Sequence, residues 1–317
     1  MTDLSIILPY YKRIKAFKQA IDFNHSKLMS APECSTEVVL VLDEPTEESE
    51  VLELIGQYDQ ISWRVIINRQ DHEWRNPAKA INVGIRHAKG AFVLTMSPEC
   101  LHVTDVPHIL FNSISSTDSY FAVGQLRDCK REVINEKGLV QAFESGLGNK
   151  MYYGSVCSPR TVLEAIRGYD ESNKTWGGDD DNLRARMILY GLEKKRVSEA
   201  KMIHPFDLPH PGRGIRDILK TKTWDEREAC LFPSSAVANN ESWGREFGEI
   251  IYEKESHQKL LQTAFVQESE KSNVRIVADT SEILEDFLPE RLKTASHRPG
   301  KTGGICRIIV TDSDEGA

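Results

Sequence analysis

A chain of 317 residues and 35.9 kDa is long enough for about two domains and can bury roughly three quarters of its unfolded surface, so it needs no disulfide or metal staple to fold. With 40% apolar and 28% charged residues it is not a disordered chain, and no apolar run approaches the length of about 18 residues that a membrane-spanning helix needs. The balance of 40 Lys+Arg against 48 Asp+Glu gives a net charge of −8, which excludes non-specific nucleic-acid binding through a cationic face.

The six cysteines (Cys34, Cys100, Cys129, Cys157, Cys230 and Cys306) form no CxxC pair and no zinc spacing, as expected of reduced thiols in a cytosolic protein. Met1-Thr2-Asp3-Leu4 runs straight into an apolar stretch, so no signal peptide is expected.

Over the first 100 residues two periods alternate. Leu4–Leu8, Val38–Leu42, Trp63–Ile67 and Ala91–Met96 are short apolar runs that read as buried strands. Between them lie helical faces: Ile14, Phe17, Ile21 and Leu28; then Val51, Leu54, Ile55 and Tyr58; then Ala80, Ile81, Gly84, Ile85 and Ala88. Asn76-Pro77 reads as a cap followed by proline at the start of the third helix. Four strands separated by three helices predict an α/β fold with a parallel, doubly wound sheet, whose ligands bind beyond the carboxyl ends of the strands. Pro9-Tyr10-Tyr11, Asp43-Glu44 and Ser97-Pro98-Glu99 stand at such ends.

Further on, the pattern predicts a helix over Val106–Ile114, a strand over Tyr120–Leu126, long loops over Lys130–Tyr153, and helices over Thr161–Ile166 and Asp181–Tyr190. Phe247, Ile250, Ile251 and Lys254, then Leu260, Leu261, Ala264 and Phe265, predict amphipathic helices. Ser296–Lys301 reads as a linker and Ile305–Val310 as a last strand. The expected organisation is a domain over residues 1–239, with a nucleotide-binding half (1–100) and an acceptor half (101–239), and a helical extension over 240–317.

The densest chemical signal is Gly168-Tyr169-Asp170-Glu171, then Trp176-Gly177-Gly178-Asp179-Asp180-Asp181-Asn182-Leu183 with Arg186 one turn on. A Gly-Gly turn that delivers three acids to a helix start suits the free N–H groups there, but three adjacent carboxylates need something positive or hydrogen-bonding in front of them. This run resembles the acidic signature of family 2 glycosyltransferases and their galactosyltransferase relatives, which have the GT-A fold. Leu4–Arg13 is similar to that family's opening strand and turn, and Asn76–Gly90 to its "A-x-N-x-G-I-x-x-A-x-G" helix. The pieces come in the family's order over residues 4 to 212.

The resemblance implies a hexosyl-type transferase that moves a sugar from a nucleotide-sugar, a UDP-sugar foremost, to an acceptor hydroxyl. It implies Asp180 as the base of an inverting reaction, Trp176, Gly178 and Asp179 at the acceptor, and Pro9, Tyr11, Arg13, Asp43, Arg69, Lys79 and Ser97 at the donor nucleotide. Asn82 reads as a helix–loop hydrogen bond rather than a ligand contact. Relatives end the fourth strand in Asp-x-Asp, which holds Mn²⁺ or Mg²⁺. Here Ser97-Pro98-Glu99 leaves Glu99 as the metal carboxylate, with His210 as imidazole partner and His204 and Asp207 behind it. The partners implied are a nucleotide-sugar and a saccharide or lipid-linked saccharide, in bacterial surface polysaccharide synthesis in the cytoplasm or at the inner face of the membrane. The competing reading is a sugar-nucleotide-binding or scaffold protein of the same fold whose altered Asp-x-Asp has lost turnover.

Overall fold

The computed structural model describes residues 2–73, 75–145, 147–151, 155–174, 177–206 and 230–255, and three residue pairs beyond them. β1 (Leu4–Tyr10), β2 (Thr36–Leu42), β3 (Trp63–Ile67) and β4 (Phe92–Met96) are buried along their lengths, except at half-buried Pro9. Strands with two apolar faces need helices on both sides, and parallel pairing through crossovers supplies them. The four pair in parallel in the order β3-β2-β1-β4, with Ile6 between Val38 and Leu94.

The crossovers are α1 (Ile14–Leu28), α2 (Glu48–Gly56) and α3 (Ala78–His87). α1 buries Phe17, Ala20, Ile21, Asn24 and Leu28, a stripe at helical spacing. Alternate residues of β1 go to opposite layers. Leu4, Ile6 and Leu8 pack with α1 and α2, and Ile7 packs with α3. Asn76 starts α3 as the sequence suggests: its side-chain oxygen accepts the Ala78 N–H at 2.9 Å.

After β4 come β5 (Leu101–His102), α4 (Val106–Ile114), β6 (Tyr120–Lys130), α5 (Arg131–Ser145), β7 (Leu147–Met151), β8 (Ser155–Pro159), α6 (Arg160–Ala165), α7 (Asp179–Tyr190) and β9 (Glu193–Phe206). The sheet continues as β4-β8-β6-β9-β5, and here it is mixed: β8 is antiparallel to both β4 and β6, whereas β6 and β9 are parallel.

Two expectations for the first 255 residues are corrected. Lys130–Tyr153 holds α5 and β7 rather than loops. α5 is two helical pieces joined at Gly138 (φ 74°, ψ 166°), so no single helical period runs through it. Phe247–Lys254 is not a helix: β10 (Glu249–Lys254) lies antiparallel on the outer edge of β3. Its register shifts between Ile250 and Tyr252, which breaks the alternation by which a strand is recognised.

The chain divides into two units, 1–255 and 256–317. The second contains a small antiparallel sheet of β11 (Arg275–Ile276), β12 (Arg298–Pro299) and β13 (Cys306–Arg307), in the order β11-β13-β12. Arg298–Pro299 is thus strand where a linker was expected. The helical positions Leu260 to Phe265 lie outside the described residues. Cys34, Cys100, Cys129 and Cys157 are buried free thiols. Among the described residues no helix is long and apolar enough to cross a membrane.

α3 lies so close to the sheet that a Cβ on Gly84 would sit 2.4 Å from Cγ2 of Ile7 and 3.1 Å from Cγ2 of Val41. Alanine is the better helix former by about 1 kcal/mol, but overpacking against a stiff β-branched side chain costs about 1–3 kcal/mol. Gly84→Ala is therefore expected to destabilise the protein by up to about 2 kcal/mol in urea unfolding; greater stability would show that α3 moves freely on the sheet.

Candidate active site

The strand ends of β1, β2 and β4, the ends of β6 and β9 and the start of α7 supply the residues that the sequence singles out. β4 is followed by Ser97-Pro98-Glu99, and the Ser97 carbonyl accepts the Cys100 N–H at 3.3 Å, a turn that brings Glu99 back towards β1. There Arg13 Nη1 donates to Glu99 Oε1. His204 Nε2 stands 3.5 Å from the same oxygen, and its Nδ1 is 3.0 Å from Asp128 Oδ1. Asp128 and His204 are register partners across the parallel β6–β9 pair, so the sheet itself places them side by side.

Burial opposes the Glu99 charge, but Arg13 and His204 outweigh it and hold the carboxyl far below the usual range. Burial likewise opposes the imidazolium of His204, and Asp128 with Glu99 raises it to about 9. Glu99 Oε2 is buried and has no hydrogen-bond partner among the described residues. Among the described residues no group of three or more His, Cys, Asp or Glu is arranged to hold a metal ion.

α7 starts at Gly178, whose left-handed backbone (φ 82°) follows Gly177 at the same φ, a turn that glycine alone makes without strain. Asp179, Asp180 and Asp181 fill its first turn. Asp181 turns aside to Arg184. Asp180 is half-buried and meets the Tyr169 hydroxyl; burial and the neighbouring Asp179 raise its pKa to about 7. The buried Cys100 thiol, next to Glu99 in the chain, is raised first by burial and then by the charges of Glu99, Asp128 and Asp180.

The remainder of the acidic motif is a buried clamp. Asn82 accepts the Tyr169 N–H at 2.7 Å and donates to the Tyr169 carbonyl at 2.8 Å and to Glu171 Oε1 at 2.9 Å. A Cβ on Gly168 would lie 2.2 Å from Asn82 Oδ1, so glycine is required there. Arg186, 1% exposed, donates to Asn182 Oδ1 (2.8 Å), to the Gly168 carbonyl (2.6 Å) and to the Ile166 carbonyl (3.1 Å). Asn239 donates to the carbonyls of Arg167 and Tyr169, both at 2.6 Å. The Tyr169 hydroxyl is 2.7 Å from Thr95 Oγ1 on β4.

The nucleotide-side candidates fall into two groups. Tyr11 stacks on His72 with ring centroids 5.7 Å apart and donates to the His72 carbonyl at 2.9 Å. Asp43 is buried and takes a bidentate pair from Arg75 at 2.9 and 2.5 Å, with His72 Nε2 at 3.5 Å. Half-buried Pro9 pairs with Val41 in the strand leading to this wall. Lys79 and Arg69 instead face residues 246–249: Lys79 pairs with Glu246 at 2.8 Å, and Arg69 pairs with Glu48 and, at 2.9 Å, with Glu249. Trp176, Asp207 and His210 lie outside the described residues. Sequence reasoning missed Asp128, Arg75 and Asn239; none stands in a motif, and each is joined to its partner only by strand register or loop closure.

Residues 5–159 match the profile of Glycosyl transferase family 2, and residues 140–210 match that of the N-terminal domain of galactosyltransferase. Over residues 5–159, just under half of its length, the chain is thus similar to a family 2 glycosyltransferase domain. No curated protein sequence matches it. Solved structures share its GT-A fold. GalNAc-T7 with UDP, GalNAc and Mn²⁺ is 14% identical at a TM-score of 0.50, over 65% of this chain and 43% of that one. The mannosyltransferase PcManGT from Pyrobaculum calidifontis, in complex with GDP-Man and Mn²⁺, is 18% identical at a TM-score of 0.47, over 68% of this chain and 59% of that one. Drosophila β1,4-galactosyltransferase 7 with xylobiose is 13% identical at a TM-score of 0.46, over 78% and 84%. This glycosyltransferase domain thus spans less than two thirds of the first and second of these proteins.

The clamp predicts a stability effect remote from any ligand. Asn82→Ala leaves the Tyr169 N–H buried without its partner, at a cost of about 1–3 kcal/mol, and removes further bonds to the Tyr169 carbonyl and Glu171. Chemical denaturation is expected to show a loss of about 2–3 kcal/mol; a loss below about 0.5 kcal/mol would show that Asn239 alone holds the loop.

Proposed function

We propose that the chain transfers a sugar from a nucleotide-sugar, with UDP as the nucleotide, to a hydroxyl of a saccharide or lipid-linked saccharide, with inversion at the anomeric carbon. The observation that carries this reading is Asp180: a half-buried carboxylate that the left-handed Gly177-Gly178 turn sets in the first turn of α7 beside the Tyr169 hydroxyl, with its pKa raised to about 7 by burial and Asp179. A base whose pKa lies near working pH takes a proton best. Asp180 accepts the proton of the acceptor hydroxyl while that oxygen bonds to the anomeric carbon. The bond from that carbon to the phosphate oxygen breaks, and the nucleoside diphosphate leaves with the electron pair.

The other residues bind and orient. Tyr11 and Pro9 shape the nucleotide wall, where base or ribose meets the Asp43–Arg75 pair. Arg13, half-buried beside Glu99, directs a fixed positive charge at the departing diphosphate, with Ser97 at the same turn. Lys79 and Arg69 sit further along the rim, where their ion pairs with Glu246 and Glu249 would have to open before either met phosphate. Gly178, Asp179 and Trp176 belong to the acceptor side. Bacterial surface polysaccharide synthesis, in the cytoplasm or at the inner membrane face, is the setting that this chemistry suits.

A divalent cation, Mn²⁺ or Mg²⁺, fits Glu99 Oε2, a buried carboxylate oxygen left without a hydrogen-bonding partner among the described residues. Glu99 would hold it, with His210 as second ligand, and when bound it would neutralise diphosphate charge. One feature favours the alternative of a sugar-nucleotide-binding protein without turnover: Arg13 already occupies the other oxygen of Glu99, and Ser97 stands where relatives have a carboxylate.

Two tests follow. Asp180→Asn keeps the shape but cannot take a proton, and should lower kcat by about 10²–10⁴ with UDP affinity nearly constant. Because the base must be ionised, kcat/KM should rise with pH to about 7 and level off above it. Near-normal turnover in the variant, or a flat profile between pH 5 and 8, removes Asp180 as base. In calorimetry with UDP present, Mn²⁺ should bind wild type at least about tenfold tighter than Glu99→Gln, or about 1.4 kcal/mol. Equal affinities would leave the diphosphate charge to Arg13.

A further inference from the structure

The flank of α3 holds a cleft that takes no part in the reaction above. Arg86 and His87, from the last turn of α3, and Gly244, Arg245, Phe247 and Gly248, from the segment running beside it, line an open depression of about 500 Å³. This turn lies at the amino ends of the parallel strands, where the Gly90 N–H bonds Ser5 Oγ at 2.8 Å, whereas Asp180 and Glu99 serve the opposite end.

On a chain with a net charge of −8, the cleft is locally cationic, because the acids around it are already committed. Glu241 pairs with Arg167 at 2.7 Å, Glu246 with Arg75 and Lys79 at 2.7 and 2.8 Å, and Glu249 with Arg69 at 2.9 Å. Among the described residues no carboxylate pairs with Arg86 or Arg245. Arg86 lies over the Trp243 ring, 4.7 Å from its centroid, and makes one long bond of 3.5 Å to the Glu241 carbonyl. The exposed Arg245 guanidinium has no partner there.

His87 Nδ1 must donate to the Val83 carbonyl at 2.9 Å, which leaves Nε2 as the ring's other nitrogen, on the side of Gly248. A Cβ on Gly248 would lie 3.3 Å from that nitrogen, so the ring edge forms part of the floor. The carbonyls at a helix C-terminus attract cations, which accounts for Arg86 and His87. It does not account for Arg245, which arrives from another segment and has no acid opposite it.

We propose that this cleft binds a phosphate group, held between Arg86 and Arg245 as a charge-assisted pair, with its organic part against the Phe247 ring. The phosphate belongs either to a small soluble phosphate ester or to an anionic lipid headgroup, and the site is separate from the donor site.

The indole N–H signals of ¹⁵N-labelled protein test this, with Trp243→Phe used to assign the Trp243 signal. Titration with inorganic phosphate at constant ionic strength should move that signal to saturation, because Arg86 shifts on the ring. Arg245→Ala should weaken the response at least about tenfold, while Asp180→Asn titrates like wild type. A signal that does not move, drifts without saturating, or saturates equally in Arg245→Ala overturns the proposal. Sedimentation with phosphatidylglycerol vesicles but not phosphatidylcholine vesicles, lost in Arg245→Ala, assigns the phosphate to a headgroup. A saturating phosphate titration without such sedimentation assigns it to a soluble ester.

Discussion

The two-sided bond between the Asn82 amide and the Tyr169 backbone is the contact on which the placement of Asp180 depends. α3 is fixed on the sheet by its apolar face, so Asn82 is a rigid point from which the loop before α7 is hung. Arg186 closes the arrangement from the other side by bonding the Gly168 and Ile166 carbonyls out of α7 itself. Helix, loop and sheet are therefore locked to one another by buried polar bonds, and these are costly to leave unmade. The guanidinium has carbonyl and amide partners rather than a carboxylate bonded to it, and burial lowers its pKa to about 10. A lysine, with three N–H groups on one nitrogen, could not meet acceptors reached from all three guanidinium nitrogens.

The second constraint is electrostatic. Four charged groups, Arg13, Glu99, His204 and Asp128, alternate in sign across the ends of β1, β4, β9 and β6. Alternation keeps the Glu99 carboxylate ionised despite its burial, whereas Asp180, whose first neighbour in charge is another aspartate, is pushed the other way. The two carboxylates thus differ in proton affinity, one fixed as a charge and one available to take a proton.

Much of this was legible in the residues. β1 to β4 are unbroken apolar runs, and such runs are what a doubly covered parallel sheet requires. Asn82 reads as a helix–loop bond and makes one; Asn76 reads as a cap and serves as one. The Asp128–His204 pairing was not legible, because it is set by the register of two strands 76 residues apart. Arg75 gives no local sign that it will clamp Asp43, since a loop closure brings them together. α5 was obscured by Gly138 and β10 by its bulge, both local departures from the period on which recognition rests.

β10 has a consequence for what a fragment of this chain can be. β3 is a five-residue run buried along its length, and without β10 it would present a bare row of amides and carbonyls to any passing strand. β10 answers those groups and turns outward a rim of Glu249, Glu253 and Lys254, with Glu253 held by Arg64 and Lys89 at 2.6 and 2.7 Å. Stray sheet edges invite end-to-end growth, and a charged, bulged border strand resists it. The last six residues of β-structure in the first unit therefore act as its solubility tag, and a fragment cut ahead of them would keep the transferase core while gaining a sticky seam.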